Sequence, residues 1–169
     1  NGRLDIMAYL RFSLKVLAEH DMAQLHFWRE QFLAEKLDAM WLPKAEALLQ
    51  KHRDQGHTLM IITATNDFVT APLADRLGVD HLIATVAECK RERYTGNVAG
   101  IPSYRDGKVE RLAEWLRAND ETLAGSWFYS DSHNDLPLLR KVDNPVAVDP
   151  DATLDREARE QGWPIISLR

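Results

Sequence analysis

Cysteine is nearly absent from this chain. Cys89 is the only one in 169 residues, so no internal disulfide can form, and the residue reads as a buried thiol in a reducing compartment. No stretch approaches the roughly eighteen consecutive apolar residues that a membrane helix needs. The opening NGRLDIMAYL lacks the basic-then-apolar layout of a secretory signal. These absences place the chain in the cytoplasm without a membrane partner. Basic charge is not in excess either. With 21 Lys and Arg against 26 Asp and Glu, the net charge of -5 creates no field for a phosphate backbone, which sets nucleic acid aside. A small anionic substrate would need local positive charge instead. There is no internal repeat and no low-complexity linker. Oligomeric state is not legible. The chain opens on Asn1 rather than Met, and the expectation is that an N-terminal piece is missing.

What is present is a 45% hydrophobic composition, enough for one core with a small appendage. From Leu4 to about Ala39 apolar residues recur at helical spacing, as in Met7, Ala8, Leu10 and Leu14, then Leu25, Trp28, Phe32 and Leu33. Asp21 is placed to cap the second of two helices. Pro43 opens a third, and Gly56 supplies a left-handed stop. Beyond it, short apolar runs alternate with amphipathic stretches. TLMIIT precedes a helix from about Asp67 to Leu77, HLIAT precedes one from about Lys108 to Leu116, and SWFYS and PVAV precede one near Leu154 to Glu160, before PIISL. Alternation of this kind predicts an α/β fold with a Rossmann-like parallel sheet and helices on both faces. VAECKRERYTGNVAG reads as a hairpin turning near Arg91 and Glu92. The division expected is a partial helical cap over 1–40 and an α/β core over 41–169.

In a parallel sheet, ligands collect beyond the carboxyl ends of the strands. TLMIIT ends in Thr63, followed by Ala64, Thr65 and Asn66, which brings a hydroxyl and backbone N–H groups to a helix start; ordinary capping explains the same residues. Lys108 follows Gly107 at the start of a helix, where a cation opposes the dipole, and a solvated surface lysine is the alternative. Acidity is concentrated in SDSHND, where Asp131 and Asp135 lie one helical turn apart. Two crowded carboxylates repel unless a proton or cation lies between them, and magnesium suits such an oxygen site. Capping of the next helix by Asp131 or Asn134 is the structural alternative. His133 reads as a loop residue, because a hard oxygen site does not call for imidazole.

Taken in order, IITATND, DGKVERL and YSDSHND resemble the second, third and fourth motifs of the haloacid dehalogenase superfamily of phosphohydrolases, in the branch that includes phosphoserine phosphatase. RYTG and the terminal GWPIISLR have the look of the same branch. The resemblance implies hydrolysis of a small phosphomonoester with Mg2+. It implies that Thr63, with Ala64 beside it, binds the phosphoryl group, and that Lys108 neutralises charge at the phosphate and nucleophile. Asp131 would hold the metal, Asp135 would support it through water or Lys108, and Asn134 would lie close to the phosphate.

The family's first motif, D-x-D-x-T or D-x-D-x-V on an N-terminal strand, has no match before Thr63. Its first aspartate would form an aspartyl phosphate and its second would serve as acid and base. VDPDAT offers a literal match in Asp149, Asp151 and Thr153, but the strand before it is expected at the sheet edge, and Asp151 with Thr153 reads as a helix start. The expectation is therefore a nucleophile strand preceding Asn1, whose absence leaves two interior strands unpaired on one side and the 169 residues inactive.

Substrate choice in this branch is implied to lie in the helical cap. Where phosphoserine phosphatases carry an arginine for the substrate carboxylate, this chain places Ser13, with Arg11 nearest. The chain more closely resembles proteobacterial members assigned to histidinol phosphate, an ester without a carboxylate. Tyr9, Phe12, Trp28 and Trp41 are candidates to face its cation, although packing of the cap helices is the expectation for most of them. Phosphoserine phosphatase or a phosphotransferase are alternatives within the family, and a non-catalytic binding module is one outside it.

Overall fold

The computed structural model describes residues 5–169, so Leu4, with which the first helical pattern opens, lies outside the described residues. The chain forms two compact units. One runs to Trp41 and resumes over Met60–Pro102; the other comprises Leu42–Leu59 and Ser103–Arg169.

In the first unit, α1 (Ile6–Glu19) and α2 (Met22–Met40) both start at aspartates that satisfy orphan helix N–H groups. Asp5 accepts from Met7 and Ala8, each at 3.0 Å, and Asp21 accepts from Gln24 at 2.8 Å. Strand β1 (Met60–Asn66) pairs in parallel with β2 (His81–Lys90), which turns back antiparallel into β3 (Arg93–Ala99). The turn lies at Arg91 and Glu92, with φ of 50° and 60°. Left-handed conformation at both central positions matches the right-handed twist of a tight hairpin. Helix α4 (Asp67–Leu77) connects β1 to β2, capped by Asn66 and stopped at left-handed Gly78. Leu14, Leu17, Leu25, Phe68 and Ala87 form the core, with Val69, Tyr94 and Val98 packed around them. Gly96 lies on β3 beside Ala18 of α1, and its φ of 80° disfavours any other residue.

The second unit begins with α3 (Pro43–Asp54) and continues through α5 (Asp106–Asn119), β4 (Trp127–Ser130), α6 (Leu136–Leu139), β5 (Asn144–Val148), α7 (Ala152–Gln161) and β6 (Ile165–Ile166). The strands are all parallel, in the order β4-β5-β6. Leu139, Ala147, Leu154 and Ala158, all at 0% exposure, make the centre of this unit, flanked by Phe128, Leu136 and Trp163.

Several sequence expectations change here. The strands lie in two three-stranded sheets, one in each unit, rather than in one; among the described residues β1 and β4 each pair along one side only, the open sides expected of two strands that lack a partner. β5, expected at a sheet edge, has β6 on its outer side, because Gly162 stops α7 in a left-handed turn and returns the chain alongside. Cys89 is exposed rather than buried, since it sits near the tip of the hairpin, where the strand has left the core. Packing, expected for most of the four cap aromatics, does not extend to Tyr9 and Phe12, which are 52% and 78% exposed, because the buried stripe of α1 runs through Leu10, Leu14 and Leu17. No described helix is long and apolar enough to cross a membrane.

Candidate active site

The second unit gathers most of the residues singled out in the sequence. Strand β4 delivers the chain into Asp131, after which His133–Asp135 forms a single 3-10 turn leading into α6. Ser132 caps that turn through its side chain, accepting from the Asn134 N–H at 3.2 Å. Neither Asp131 nor Asn134 therefore caps this turn, which removes the alternative reading of both side chains. The hydroxyl of Ser132 is better placed because it lies directly before the turn.

Lys108 is the third residue of α5, and its side chain runs inward rather than into water, excluding the surface-lysine alternative. Its Nζ lies 2.6 Å from Asp135 Oδ1, and the side chains of the pair are 7% and 10% exposed. The Ser130 hydroxyl donates to Asp135 Oδ2 at 2.8 Å. Both carboxylate oxygens of Asp135 are thus occupied, which suits a residue that orients Lys108. Asp131 is the opposite case: it is exposed, and its carboxylate has no hydrogen bond or ion pair among the described residues. An acceptor-only group left free at a strand end is available to a cation.

Asn134 is held by two residues that sequence reasoning passed over. Tyr104 Oη donates to Asn134 Oδ1 at 2.8 Å and Arg105 Nε donates to the same oxygen at 2.9 Å. Arg105 has φ 49° and ψ -120°, a backbone state that disfavours any side chain. The only sequence signal was SYRDG, an aromatic and a cation just ahead of the lysine helix.

His133 donates its backbone N–H to Asp151 Oδ2 at 2.7 Å, and its Nδ1 lies 2.8 Å from the same oxygen. Asp151 also caps α7, accepting from Thr153 and Leu154 at 2.9 Å each. Burial alone would raise the Asp151 pKa, but the bonds from His133, Leu154 and Thr153 outweigh it and lower the group to about 2. Asp149 accepts from the Leu168 N–H at 3.1 Å, and bonds from Ser167 and Leu168 hold its carboxyl below the usual range. The two aspartates of VDPDAT therefore brace the end of β5 and the start of α7.

Ahead of Asp131, Tyr129 Oη lies 2.8 Å from His52 Nε2, and His52 Nδ1 lies 2.8 Å from His57 Nδ1. Burial and then the neighbouring charges of His57 and Lys51 lower the His52 pKa, while burial raises that of Tyr129.

Thr63 and Ala64 belong to the first unit. Thr63 is not the last residue of its strand, because β1 runs on to Asn66. The register against β2 slips between Ile62 and Asn66, and such a bulge redirects side chains at the end of a strand. The Thr63 hydroxyl accepts the Thr65 N–H at 3.2 Å, which leaves its own proton free to donate. In the same unit, Ser13 is bonded to its own helix through Leu10 O at 3.1 Å, and Arg11 is exposed. The cation that enters this unit is Arg29, unnoticed in the sequence. Its guanidinium lies 4.7 Å over the Phe68 ring and donates to Phe68 O at 3.1 Å. Trp41, of the four cap aromatics, already faces a cation in Arg76, 5.5 Å away.

Among the described residues no group of three or more His, Cys, Asp or Glu side chains could hold a metal ion, and the free carboxylate of Asp131 is a single oxygen donor of the kind a hard cation takes.

Comparison with known proteins bears on the same region. Residues 1–140 match the model of the haloacid dehalogenase-like hydrolases. The chain is 42% identical, over 173 aligned residues, to the histidinol-phosphatase of Neisseria meningitidis, covering all of this chain and 78% of that protein. It is 34% identical to phosphoserine phosphatase SerB1 of Mycobacterium tuberculosis, covering 98% of this chain and 54% of that protein. Among solved structures, a Bordetella pertussis protein described as of unknown function superposes with a TM-score of 0.95 at 40% identity, over 99% of this chain and 77% of the other. A substrate-bound phosphoserine phosphatase superposes with a TM-score of 0.72 at 17% identity, over 99% of this chain and 74% of the other, a likeness of fold.

Proposed function

The chain belongs to the haloacid dehalogenase-like hydrolases, and on that premise we propose that it is the larger part of a magnesium-dependent phosphatase acting on histidinol phosphate. Hydrolysis of a phosphoric monoester follows from the phosphatase relatives. The single observation that carries the site assignment is the buried Lys108–Asp135 pair beside the uncommitted carboxylate of Asp131.

In this reading Asp131 holds Mg2+, and Asp135 acts one step removed, because Lys108 and Ser130 already occupy its oxygens. The ion would supply charge neutralisation at the phosphoryl oxygens. Lys108 serves the same developing charge from a fixed position, which costs no reorganisation when the phosphoryl group transfers. Asn134 donates an N–H toward the phosphate, while Thr63, in the first unit, keeps a hydroxyl proton free to donate.

No residue in these roles is a nucleophile. Attack on phosphorus, the aspartyl phosphate that results and protonation of the leaving alcohol are assigned to an aspartate pair outside the 169 residues. Supporting this, β1 and β4 are each open along one side, and Asp149 and Asp151 are engaged in bonds of their own. Histidinol phosphate is favoured over phosphoserine because Ser13, at the position of the carboxylate-binding arginine, is bonded to its own helix.

The test is phosphate release from histidinol phosphate and from phosphoserine, by residues 1–169 alone and with a preceding D-x-D-x-T segment in cis. The expected result is turnover of histidinol phosphate only when that segment is present. Ready turnover by residues 1–169, abolished by Asp149→Asn, would move the nucleophile to VDPDAT.

A further inference from the structure

We propose that Tyr104 and Arg105 are positioning residues that turn Asn134 into an obligate hydrogen-bond donor, so that the site accepts an oxyanion at that point and rejects an ammonium. The proposal rests on the phosphatase reading above and assigns two further residues to it.

The argument starts from what each group can do. Arg105 Nε is a donor only, so the Asn134 atom 2.9 Å from it must be the amide oxygen. Tyr104 Oη, 2.8 Å from the same atom, fills its second lone-pair direction. That oxygen has no remaining capacity to accept. On the other side, Asn134 Nδ2 reaches Ser132 Oγ at 3.2 Å, which takes one of its two hydrogens. The second hydrogen has no partner among the described residues. An amide that normally offers both a donor and an acceptor is reduced to one free N–H.

The backbone supports a selected arrangement. Arg105 adopts φ 49° and ψ -120°, where glycine would be unstrained, yet the position carries a long cation. Its ring neighbour is its own predecessor: the guanidinium lies 5.3 Å from the Tyr104 ring centroid. Arg105 and Lys108 then grip two consecutive residues of one turn, Arg105 through Asn134 and Lys108 through Asp135. The terminal nitrogens of Arg105 make no ion pair among the described residues, so its charge remains available to reinforce the donor character of Asn134.

The experiment uses the protein with its proposed nucleophile segment and compares wild type, Arg105→Gly, Tyr104→Phe, Asn134→Ala and the double variant Arg105→Gly/Asn134→Ala. Glycine suits the observed φ and ψ, so Arg105→Gly should keep or raise the melting temperature. A role in folding alone would then leave activity intact. The expected result is a fall in kcat/KM of about 10- to 100-fold for Arg105→Gly, with inhibition by inorganic phosphate weakened in parallel. The double variant should be no worse than Asn134→Ala, because the effect passes through that amide. Wild-type kcat/KM in Arg105→Gly, or additive losses in the double variant, would overturn the positioning role while leaving the phosphatase reading intact. A wild-type protein that releases no phosphate would overturn both.

Discussion

Lys108 Nζ sits 2.6 Å from Asp135 Oδ1, with both side chains at least nine-tenths buried, so one turn of α5 is tied to the turn that follows β4 by a charge pair out of reach of water. Removing one partner leaves an uncompensated buried charge. Asp135→Ala is expected to lower unfolding free energy by about 3–5 kcal/mol in urea titrations. The double replacement Lys108→Met/Asp135→Leu should recover most of that loss while remaining inactive. A loss below about 1 kcal/mol for the single variant would show a pair that water screens.

Asp131 is expected to separate stability from activity. Its carboxylate has no partner to lose, so Asp131→Asn should keep the melting behaviour within about 0.5 kcal/mol of wild type. Magnesium-dependent phosphate release by the catalytically complete protein should drop to background. Full activity of this variant in EDTA would refute the assignment.

His52 predicts a pH dependence of stability. Its pKa is lowered from 6.5 by burial and by His57 and Lys51, so below pH 6.5 the unfolded chain takes up a proton that the folded one does not. Stability is therefore full above pH 6.5 and declines as pH falls below it. His57→Ala removes the second cause and should make the decline shallower, as read by urea midpoints at successive pH values and by the NMR titration of the His52 ring.

Asp151 predicts a second dependence at lower pH. Its folded pKa of about 2 lies below the ordinary carboxylate value of 3.8, so its contribution is present above about pH 4 and lost as pH falls toward 2. Asp151→Ala should cost about 1 kcal/mol at neutral pH through the lost α7 cap, a figure reduced by its partial exposure. The difference from wild type should vanish near pH 2.

Asp149→Asn carries a separate expectation. It should leave phosphate release by the complete protein near wild type, since Asp149 is engaged by Leu168 at the end of β5.

Much of the fold was legible because its signals are local. Asp21 before an apolar period, Pro43 at a helix start and Asp67–Leu77 between two apolar runs each depend on neighbours within a turn or two, and each lies where expected. The hairpin at Arg91 and Glu92 was equally readable. The apolar run TLMIIT stops at Thr63 whereas β1 runs on to Asn66, because the bulge that carries the strand onward is set by the partner strand. Leu10 and Leu14 lie on the apolar period of α1 and are buried, whereas Tyr9 and Phe12 lie off it and are exposed.

The candidate site divides in the same way. Residue types and their order, a hydroxyl after TLMII, a lysine opening a helix and D-x-x-x-D after SWFYS, are properties of the chain itself, and by themselves they carry the family resemblance that implies the class of chemistry. Which carboxylate stays free is a property of tertiary structure. Asp131 and Asp135 are told apart in the sequence only by the family resemblance, and the arrival of Lys108 and Ser130 at Asp135 supplies the physical reason for their different roles. Tyr104 and Arg105 joined the site for a similar reason: a hydrogen bond spanning 29 or 30 residues leaves no trace in local periodicity, because its energy depends on where two distant backbones meet.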